Sequence, residues 1–569
     1  MSSPLYGIKP LLENTTSTME SAQSVRETAP PGLATQNPIT APRLAPLAVS
    51  GKDARPKAFY QFLGIFLVLA VASLMRLLAL NSLGFNSDEA VYAGQAAAIA
   101  QAPVLSDLFP VFRAHPLLYQ FIIAILFQFA VSDLLARLVS VLLGIGTVFL
   151  VYRLGEVAYG PSSGLLAALF IAVMPYHVLV SRQVLLDGPL TFFTTLALFF
   201  LVRFAISSRS RWLYATGAAM GLAFLSKETG IIFTGAIFAF LALTPKVRLR
   251  LRDLVITVFC MLLVASPFPL TTLLAGGGGS QRTQQYLIWQ LFRPPNHEWD
   301  FYLTNVPVAI GPLLILVTAI GLLIWHRKWT WRESLFLAWI IVPAAFFQLW
   351  PTKGFQYLLP IAPPVALLGG KTLSGLLVNN QKRGKGTPPN GKPNSRGRRN
   401  VLATFGSILT AAVVITLAIP SWGRIFPSPE LSFLAGSGGV PGGRETGLWI
   451  RENIPQGATF LTIGPSMANI LQFYGQRRAL GLSVSPNPLH RNPSYLPVTN
   501  PDIQIRNGDI HYLVWDAYSA SRSLFFSDKL LYYARKYDGR VIFTQTVQVT
   551  SPLGETVDKA VTIIYEVYP

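Results

Sequence analysis

From residue 59 to residue 420 the chain returns repeatedly to apolar runs, beginning with "FYQFLGIFLVLAVASLMRLLAL" at 59–80. No other feature constrains the fold as much. About 20 apolar residues, rising about 1.5 Å each in a helix, cross a hydrocarbon layer about 30 Å thick. Lipid offers the backbone no hydrogen bonds, so a spanning segment must be a helix or part of a closed barrel. Barrel strands alternate apolar and polar residues over short segments, whereas these runs are continuous. The fold class expected is a polytopic α-helical membrane protein.

Charge decides how the runs are threaded. The chain carries 46 Lys and Arg against 26 Asp and Glu, a net +20. The excess gathers in short loops between apolar runs, which reads as cytoplasmic loops facing anionic lipid and not as a nucleic-acid surface. Four such loops stand out: Arg203 with Arg209 and Arg211; Lys246 with Arg248, Arg250 and Arg252; His326 with Arg327, Lys328 and Arg332; and residues 377–400, with seven basic residues and no acid. Lys52, Arg55 and Lys57 precede the first run, placing the N-terminus in the cytoplasm and Asp88 outside. Between Asp88 and the loop at Arg203 the number of crossings must then be odd. Four apolar runs lie there: 117–131, 134–153, 162–181 and 188–205. The shortest, "LLYQFIIAILFQFAV" at 117–131, is expected to lie in the membrane interface instead of crossing. About eleven spans remain, and Asp187 joins Asp88 on the outer face.

The rest of the chain divides around these spans. Residues 1–56, rich in Ser, Thr, Pro and Ala, read as a disordered cytoplasmic tail. The membrane domain occupies 57–420, with an external loop at 81–133 carrying juxtamembrane helices and a flexible basic cytoplasmic linker at 377–400. Loop 276–302 opens on four glycines and reads as an amphipathic surface helix or as a segment covering a substrate. Residues 421–569 change character. "ATFLTIG", "HYLVWD", "RVIFTQTVQV" and "AVTIIYEVY" predict strands, and "GLWIREN", "MANILQFYG" and "LFFSDKLLYYARKY" predict helices. This is a soluble, extracytoplasmic α/β domain. The single cysteine, Cys260, excludes an intrachain disulfide and a thiolate metal cluster.

Asp88 and Glu89 stand in "GFNSDEAVYAGQAAAIAQ", where Asn86–Ser87 can cap a helix. Acids in a first turn complement the helix dipole; ionisable groups kept at a membrane boundary also mark functional sites. Asp187 precedes Gly188–Pro189 and is either a cap or a second acid of the same site. Arg113 and His115 lie in "FRAHPLLYQ", and Arg182 lies five residues before Asp187. Lys227 in "GLAFLSKETG" and Lys353 in "WPTKGFQYLLP" break the positive-inside pattern. Either they snorkel or they hold an anionic ligand, phosphate being the simplest. Two acids and two lysines on one face fit a lipid-linked phosphate bound at the membrane surface, with a carboxylate nearby for proton abstraction. Asp88, Glu89, Asp187 and His115 also have the chemistry to hold a divalent cation.

The stretches "RLLALNSLGFNSDEAVYAGQA", "HPLLYQ", "SRQVLLDGPLTFF", "GLAFLSKETG" and "KGFQYLLPIAPP" occur in this order between about 76 and 370. Together they resemble the membrane-embedded GT-C glycosyltransferases, specifically the family-39 and ArnT-like proteins related to dolichyl-phosphate-mannose protein mannosyltransferases. The resemblance implies an enzyme of the plasma (inner) membrane that moves a hexosyl or pentosyl group from a polyprenyl-phosphate carrier. The acceptor would be a hydroxyl of a lipid, glycan or protein on the outer face, with inversion at the anomeric carbon. The family's acidic pair falls on Asp88, the implied base, and Glu89, and its second-loop acid on Asp187. Lys227, Lys353 and Arg113 are the implied phosphate ligands, with Tyr357, His115 and Arg182 as further substrate contacts. The chain departs from the common pattern at His115-Pro116-Leu117, where many members carry a second Pro. It departs again at Gln356-Tyr357, where many carry Arg-Tyr.

Two other readings compete. A secondary transporter would use the same acids as ion or proton sites, but would place them near mid-membrane within inverted repeats. Here they fall at span ends, and no internal repeat is visible. A non-catalytic lipid- or glycan-binding relative would keep the fold without the reaction.

Overall fold

The computed structural model describes residues 54–109, 111, 115–244, 247, 249–274, 277–378, 394–426, 440–550 and 555–569. The expected tail up to residue 53, most of the basic linker (379–393) and Arg113 lie outside the described residues.

The chain is an integral membrane protein. Five helices are long and apolar enough to cross a bilayer: Phe59–Leu77, Asp133–Tyr159, Asp187–Ser207, Trp331–Leu349 and Val401–Ile425. Two bent pairs raise the number to seven: Leu251–Ala265 with Pro267–Leu274, at 46°, and Phe301–Ile310 with Pro312–Ile324, at 92°. The sharper bend falls at Gly311, whose φ of +105° is followed by a proline that opens the next helix. The other four expected spans are represented by Pro161–Val173, Ser210–Ser226, Ile232–Leu243 and Ala362–Val378, none longer than 17 residues. Five of the eleven expected spans therefore have the length to cross as one helix, and two more as bent pairs. The run at 117–131 forms the ten-residue helix Leu118–Phe127. It rises about 15 Å, half of a hydrocarbon layer.

Arginines brace this framework from inside. The run expected as one span at 162–181 breaks at Met174–Pro175 into Pro161–Val173 and Pro175–Val180. A proline has no N–H to give the carbonyl four residues before it, so Ile171 loses its partner. Arg76, wholly buried in the first membrane helix, donates to the Ile171 and Ala172 carbonyls at 3.2 and 3.0 Å and to Ser181 Oγ at 2.9 Å. A helix C-terminus likewise leaves carbonyls unpaired. At and just beyond the end of Ala54–Leu77 the Arg182 guanidinium donates to the carbonyls of Met75, Arg76, Leu78 and Ala79 at 2.8–3.1 Å.

The C-terminal region forms a five-stranded sheet in the order β2-β1-β3-β5-β4. The strands are β1 (Thr459–Thr462), β2 (Arg478–Gly481), β3 (Tyr512–Asp516), β4 (Arg540–Thr550) and β5 (Thr556–Glu566). β1 runs parallel to β2 and β3, whereas β5 pairs antiparallel with β3 and β4. The four expected strands are present. β2, only four residues long, carried no run long enough to announce itself. The soluble domain closes one core of its own, with Leu461, Leu513, Leu530 and Tyr533 among its members, and shares a second with the membrane domain. Phe460, Met467, Ile470, Phe473, Val514 and Ile564 bury into one cluster with Phe85, Ala90, Ala93, Phe109, Tyr119 and Phe127 of the 81–133 segment. Within that cluster Gly94 lies so close to the Phe109 ring that a Cβ would overlap it.

Candidate active site

Asp88 opens the helix Ser87–Ile99, and its placement follows from the loop before it. Residues 80–86 leave the first membrane helix in irregular backbone. Arg137, in the first turns of Asp133–Tyr159, donates to the carbonyls of Leu80, Leu83 and Gly84 at 3.1, 2.7 and 3.0 Å. Its remaining donors grip Glu89 in a bidentate pair, Nε to Oε1 and Nη2 to Oε2, both at 2.9 Å. Neither side chain is more than 2% exposed. Glu89 also completes a capping box: Asn86 Oδ1 accepts from the Glu89 N–H, and Glu89 Oε2 accepts from the Asn86 N–H, each at 3.0 Å. Oε1 further accepts from Val184 N at 3.0 Å, and Asn86 Nδ2 donates to Gln183 at 2.8 Å. Both Glu89 oxygens are therefore committed, and they lock the Asp88 loop to the loop that carries Asp187.

Asp187 is the first residue of its helix, the N-cap being Leu186 with no side-chain cap. Its carboxylate serves an ion pair instead. Lys227 Nζ donates to its two oxygens at 2.7 and 2.9 Å, and the same ammonium sits 4.1 Å from the centre of the Tyr357 ring. Sequence positions 187, 227 and 357 thus meet in one buried cluster.

Asp88 differs from both neighbours. Among the described residues no donor lies within hydrogen-bond distance of its carboxylate. Burial raises its pKa from 3.8 to about 6; Lys227 and Arg293 oppose that rise, while Asp187 and Glu89 add to it. The arrangement leaves one available carboxylate between two that are neutralised, beside a lysine and an arginine. Proton abstraction next to a bound anion is the chemistry it can support.

The remaining expected residues are placed as follows. His115 lies edge-on between Tyr92 and Tyr286, at 6.2 and 6.3 Å between ring centres, and Tyr92 feels the Asp88 charge. Lys353 is buried in a turn that Asn296 holds by two 2.8 Å hydrogen bonds to the Lys353 backbone. Its charge acts on His297, as does that of Arg522. Arg182 is spent on the carbonyls of the first membrane helix and does not join the carboxylates. The four candidate metal ligands do not form a set. Glu89 is bound to Arg137 and Asp187 to Lys227, and among the described residues no three His, Cys, Asp or Glu side chains cluster.

Four participants were missed in the sequence. Arg137 carried a usable signal, an arginine inside "DLLARLVSVLLG", where burial in a membrane helix demands a partner. Arg293 directly follows the helix Gly277–Phe292, in the loop read as a surface helix or a substrate-covering segment, with no residue in it singled out. Tyr495 and Tyr518 come from the soluble domain, and both feel the Asp88 charge. No local pattern marked either.

Known proteins resemble this chain. Residues 114–270 match the family described as dolichyl-phosphate-mannose-protein mannosyltransferase. The dolichyl-phosphate-mannose–protein mannosyltransferase 1 of Candida albicans is 37% identical over 108 residues, which are 18% of this chain and 12% of that protein. The solved structures extend the likeness over the whole architecture. ArnT from Cupriavidus metallidurans, bound to undecaprenyl phosphate, superimposes with a TM-score of 0.59 at 16% identity, covering 90% of this chain and 98% of that one. This is the GT-C glycosyltransferase fold. The archaeal oligosaccharyltransferase AglB from Archaeoglobus fulgidus, in complex with an inhibitory peptide and a dolichol-phosphate, matches with a TM-score of 0.55 at 13% identity, covering 88% of this chain and 74% of that one. The aligned stretch spans about an eighth of the Candida protein's length.

Proposed function

We propose that this chain is a glycosyltransferase that moves a sugar from a polyprenyl-phosphate carrier to an acceptor hydroxyl, inverting the anomeric centre. The site faces the extracytoplasmic side, with the N-terminus in the cytoplasm and the soluble domain outside. The observation that carries the reading is the environment of Asp88. It is a carboxylate free of hydrogen-bond partners among the described residues, fixed by a capped helix, beside a cation pair fit for phosphate. The likeness to ArnT and AglB supports a lipid-linked donor.

In the proposed step Asp88 takes the proton of the acceptor hydroxyl as its oxygen attacks the anomeric carbon. The bond from that carbon to the phosphate oxygen breaks, and its electron pair leaves on the polyprenyl phosphate. A phosphate is a good leaving group and needs little acid assistance. Lys227 and Arg293 meet the charge that develops there. Lys227 stays charged in its buried place because Asp187 pairs with it, so Asp187 acts by holding the lysine. Glu89 has no lone pair to spare and acts by positioning Asp88. The transferred group is a hexosyl or pentosyl unit.

The test is sugar transfer from a radiolabelled undecaprenyl-phosphate sugar in membranes. Asp88→Asn, which keeps shape and fold, should lower the rate by about 10²-fold or more, the scale of general-base catalysis. Undiminished transfer by this variant would remove Asp88 as the base.

A further inference from the structure

The soluble domain touches the base-bearing helix at its first residue. Asn469, on the helix Pro465–Gly475, donates through Nδ2 to Ser87 Oγ at 3.0 Å and to the Tyr495 hydroxyl at 3.4 Å. Tyr474 on the same helix accepts from Phe85 N at 2.8 Å and bonds Asp133 at 3.0 Å. Arg444 pairs with Asp133 at 2.7 Å and passes so close to Gly84 that a Cβ there would lie 2.7 Å from its own. These contacts dock one edge of the domain, and that edge has a particular character. The segments after β1, β2 and β3 converge at Gly464, where a Cβ would lie 3.4 Å from Ser483 Oγ and 3.8 Å from Ser519 Oγ. β1 feeds the neighbour on one side (β2), and the chain then crosses to the other side (β3). This is the switch point of a parallel sheet, and open α/β sheets bind ligands just beyond the strand ends at such points. Tyr495 follows β2 and Tyr518 follows β3. Both rings are partly exposed, and Asp88 acts electrostatically on both.

Chemistry assigns the two sides of Asp88. On the proposed function, a polyprenyl chain must stay in lipid, so its phosphate arrives from the membrane side, where Lys227 and Tyr357 lie. The acceptor hydroxyl must meet Asp88 from the remaining side, which the soluble domain closes. We propose that Tyr495 and Tyr518 form the acceptor subsite and that the acceptor is a saccharide. A sugar offers an apolar face of C–H groups to an aromatic ring and hydroxyls to its edges. Here Asn469 donates to the Tyr495 hydroxyl and Arg522 to the Tyr518 hydroxyl, at 3.4 and 2.6 Å, while the Ser483 and Ser519 hydroxyls flank Gly464 at the same strand ends. A peptide acceptor would call for a free strand edge or an apolar groove, but the edge strands of the sheet are β2 and β4, and it is the strand ends that approach Asp88.

The inference rests on the transferase reading, and the experiment separates the two. Tyr495→Ala and Tyr518→Ala in the full chain should raise the acceptor KM by roughly tenfold or more while binding of undecaprenyl phosphate stays unchanged. Tyr→Phe at either position should restore most of the loss, because stacking needs the ring and not the hydroxyl. p-Benzoylphenylalanine placed at 495 and irradiated in cells should capture a saccharide-bearing molecule, identified by mass spectrometry. Failure of the wild type to bind undecaprenyl phosphate would overturn the transferase reading and the acceptor assignment with it. With that binding intact, capture of a polyprenyl chain or a polypeptide at 495 would overturn the acceptor assignment alone. So would alanine variants that weaken undecaprenyl phosphate and leave the acceptor KM unmoved.

Discussion

Glu89→Gln tests whether the second acid of the pair is structural. Glu89 and Arg137 are 0% and 2% exposed and meet through two hydrogen bonds of 2.9 Å. Glutamine keeps the size of the side chain and can still serve the third position of a capping box, so the change isolates the charge. It leaves a guanidinium buried without a counter-ion, and breaking such a pair from one side costs on the order of 3–5 kcal/mol. The companion variant Arg137→Met strands the carboxylate and frees the carbonyls of Leu80, Leu83 and Gly84. Since both single variants remove the same interaction, the double variant should lose less than the sum, by about 0.5–3 kcal/mol. Unfolding in mixed detergent micelles, followed by tryptophan fluorescence, measures all four corners of the cycle. A Glu89→Gln protein within about 1 kcal/mol of the wild type, or strictly additive losses, would refute the ion pair as the brace of the Asp88 loop. Activity lost in Glu89→Gln and partly recovered in the double variant would place Glu89 behind Asp88 and not beside it.

Three further outcomes follow from the same structure. Because burial lifts Asp88 to about 6 and a base works only when deprotonated, transfer should rise with pH through about 6 and level off above it; a flat profile from pH 5 to 8 would contradict the assignment. Asp516 is fully buried and likewise raised to about 6 by burial. The folded state therefore holds that proton more tightly than the unfolded chain, and the stability this gives is present at low pH and lost as pH rises through 6. Asp516→Asn retains the cap to Ser519 N and should raise stability at pH 7.5 by up to roughly 3 kcal/mol, whereas no gain in chemical denaturation would refute the burial argument. Gly94→Ala should destabilise by about 1–3 kcal/mol through overlap with Phe109, and Phe109→Leu in the same chain should relieve it in a thermal unfolding assay.

Much of this site was legible before any fold was known, because membrane chains write their topology in hydropathy and charge. Counting basic loops placed Asp88 and Asp187 on one face, and parity singled out the 117–131 run, which forms a helix of only ten residues. Lys227 and Lys353 stood out as cations on the wrong side for the positive-inside pattern. Their partners were not legible. Nothing near residue 227 names Asp187 or Tyr357, and nothing near residue 89 names Arg137, because side chains tens to hundreds of residues apart meet only through helix packing. Arg182 shows the opposite failure. It lies five residues before an acid in the chain, yet four carbonyls at the end of the first membrane helix and just beyond it take its guanidinium.

By itself, the sequence determined the solvent each segment prefers, since apolar length and charge bias are local sums that need no partner. It therefore determined a polytopic helical membrane protein with an α/β domain, and the residues able to carry the chemistry. Only the tertiary structure decided which of them remain available. A buried charge must be paired, and pairing is a question of distance. Glu89 and Asp187 are hydrogen-bonded to cations, among the described residues Asp88 has no such bond, and a soluble domain nearly four hundred residues further along the chain reaches the start of its helix.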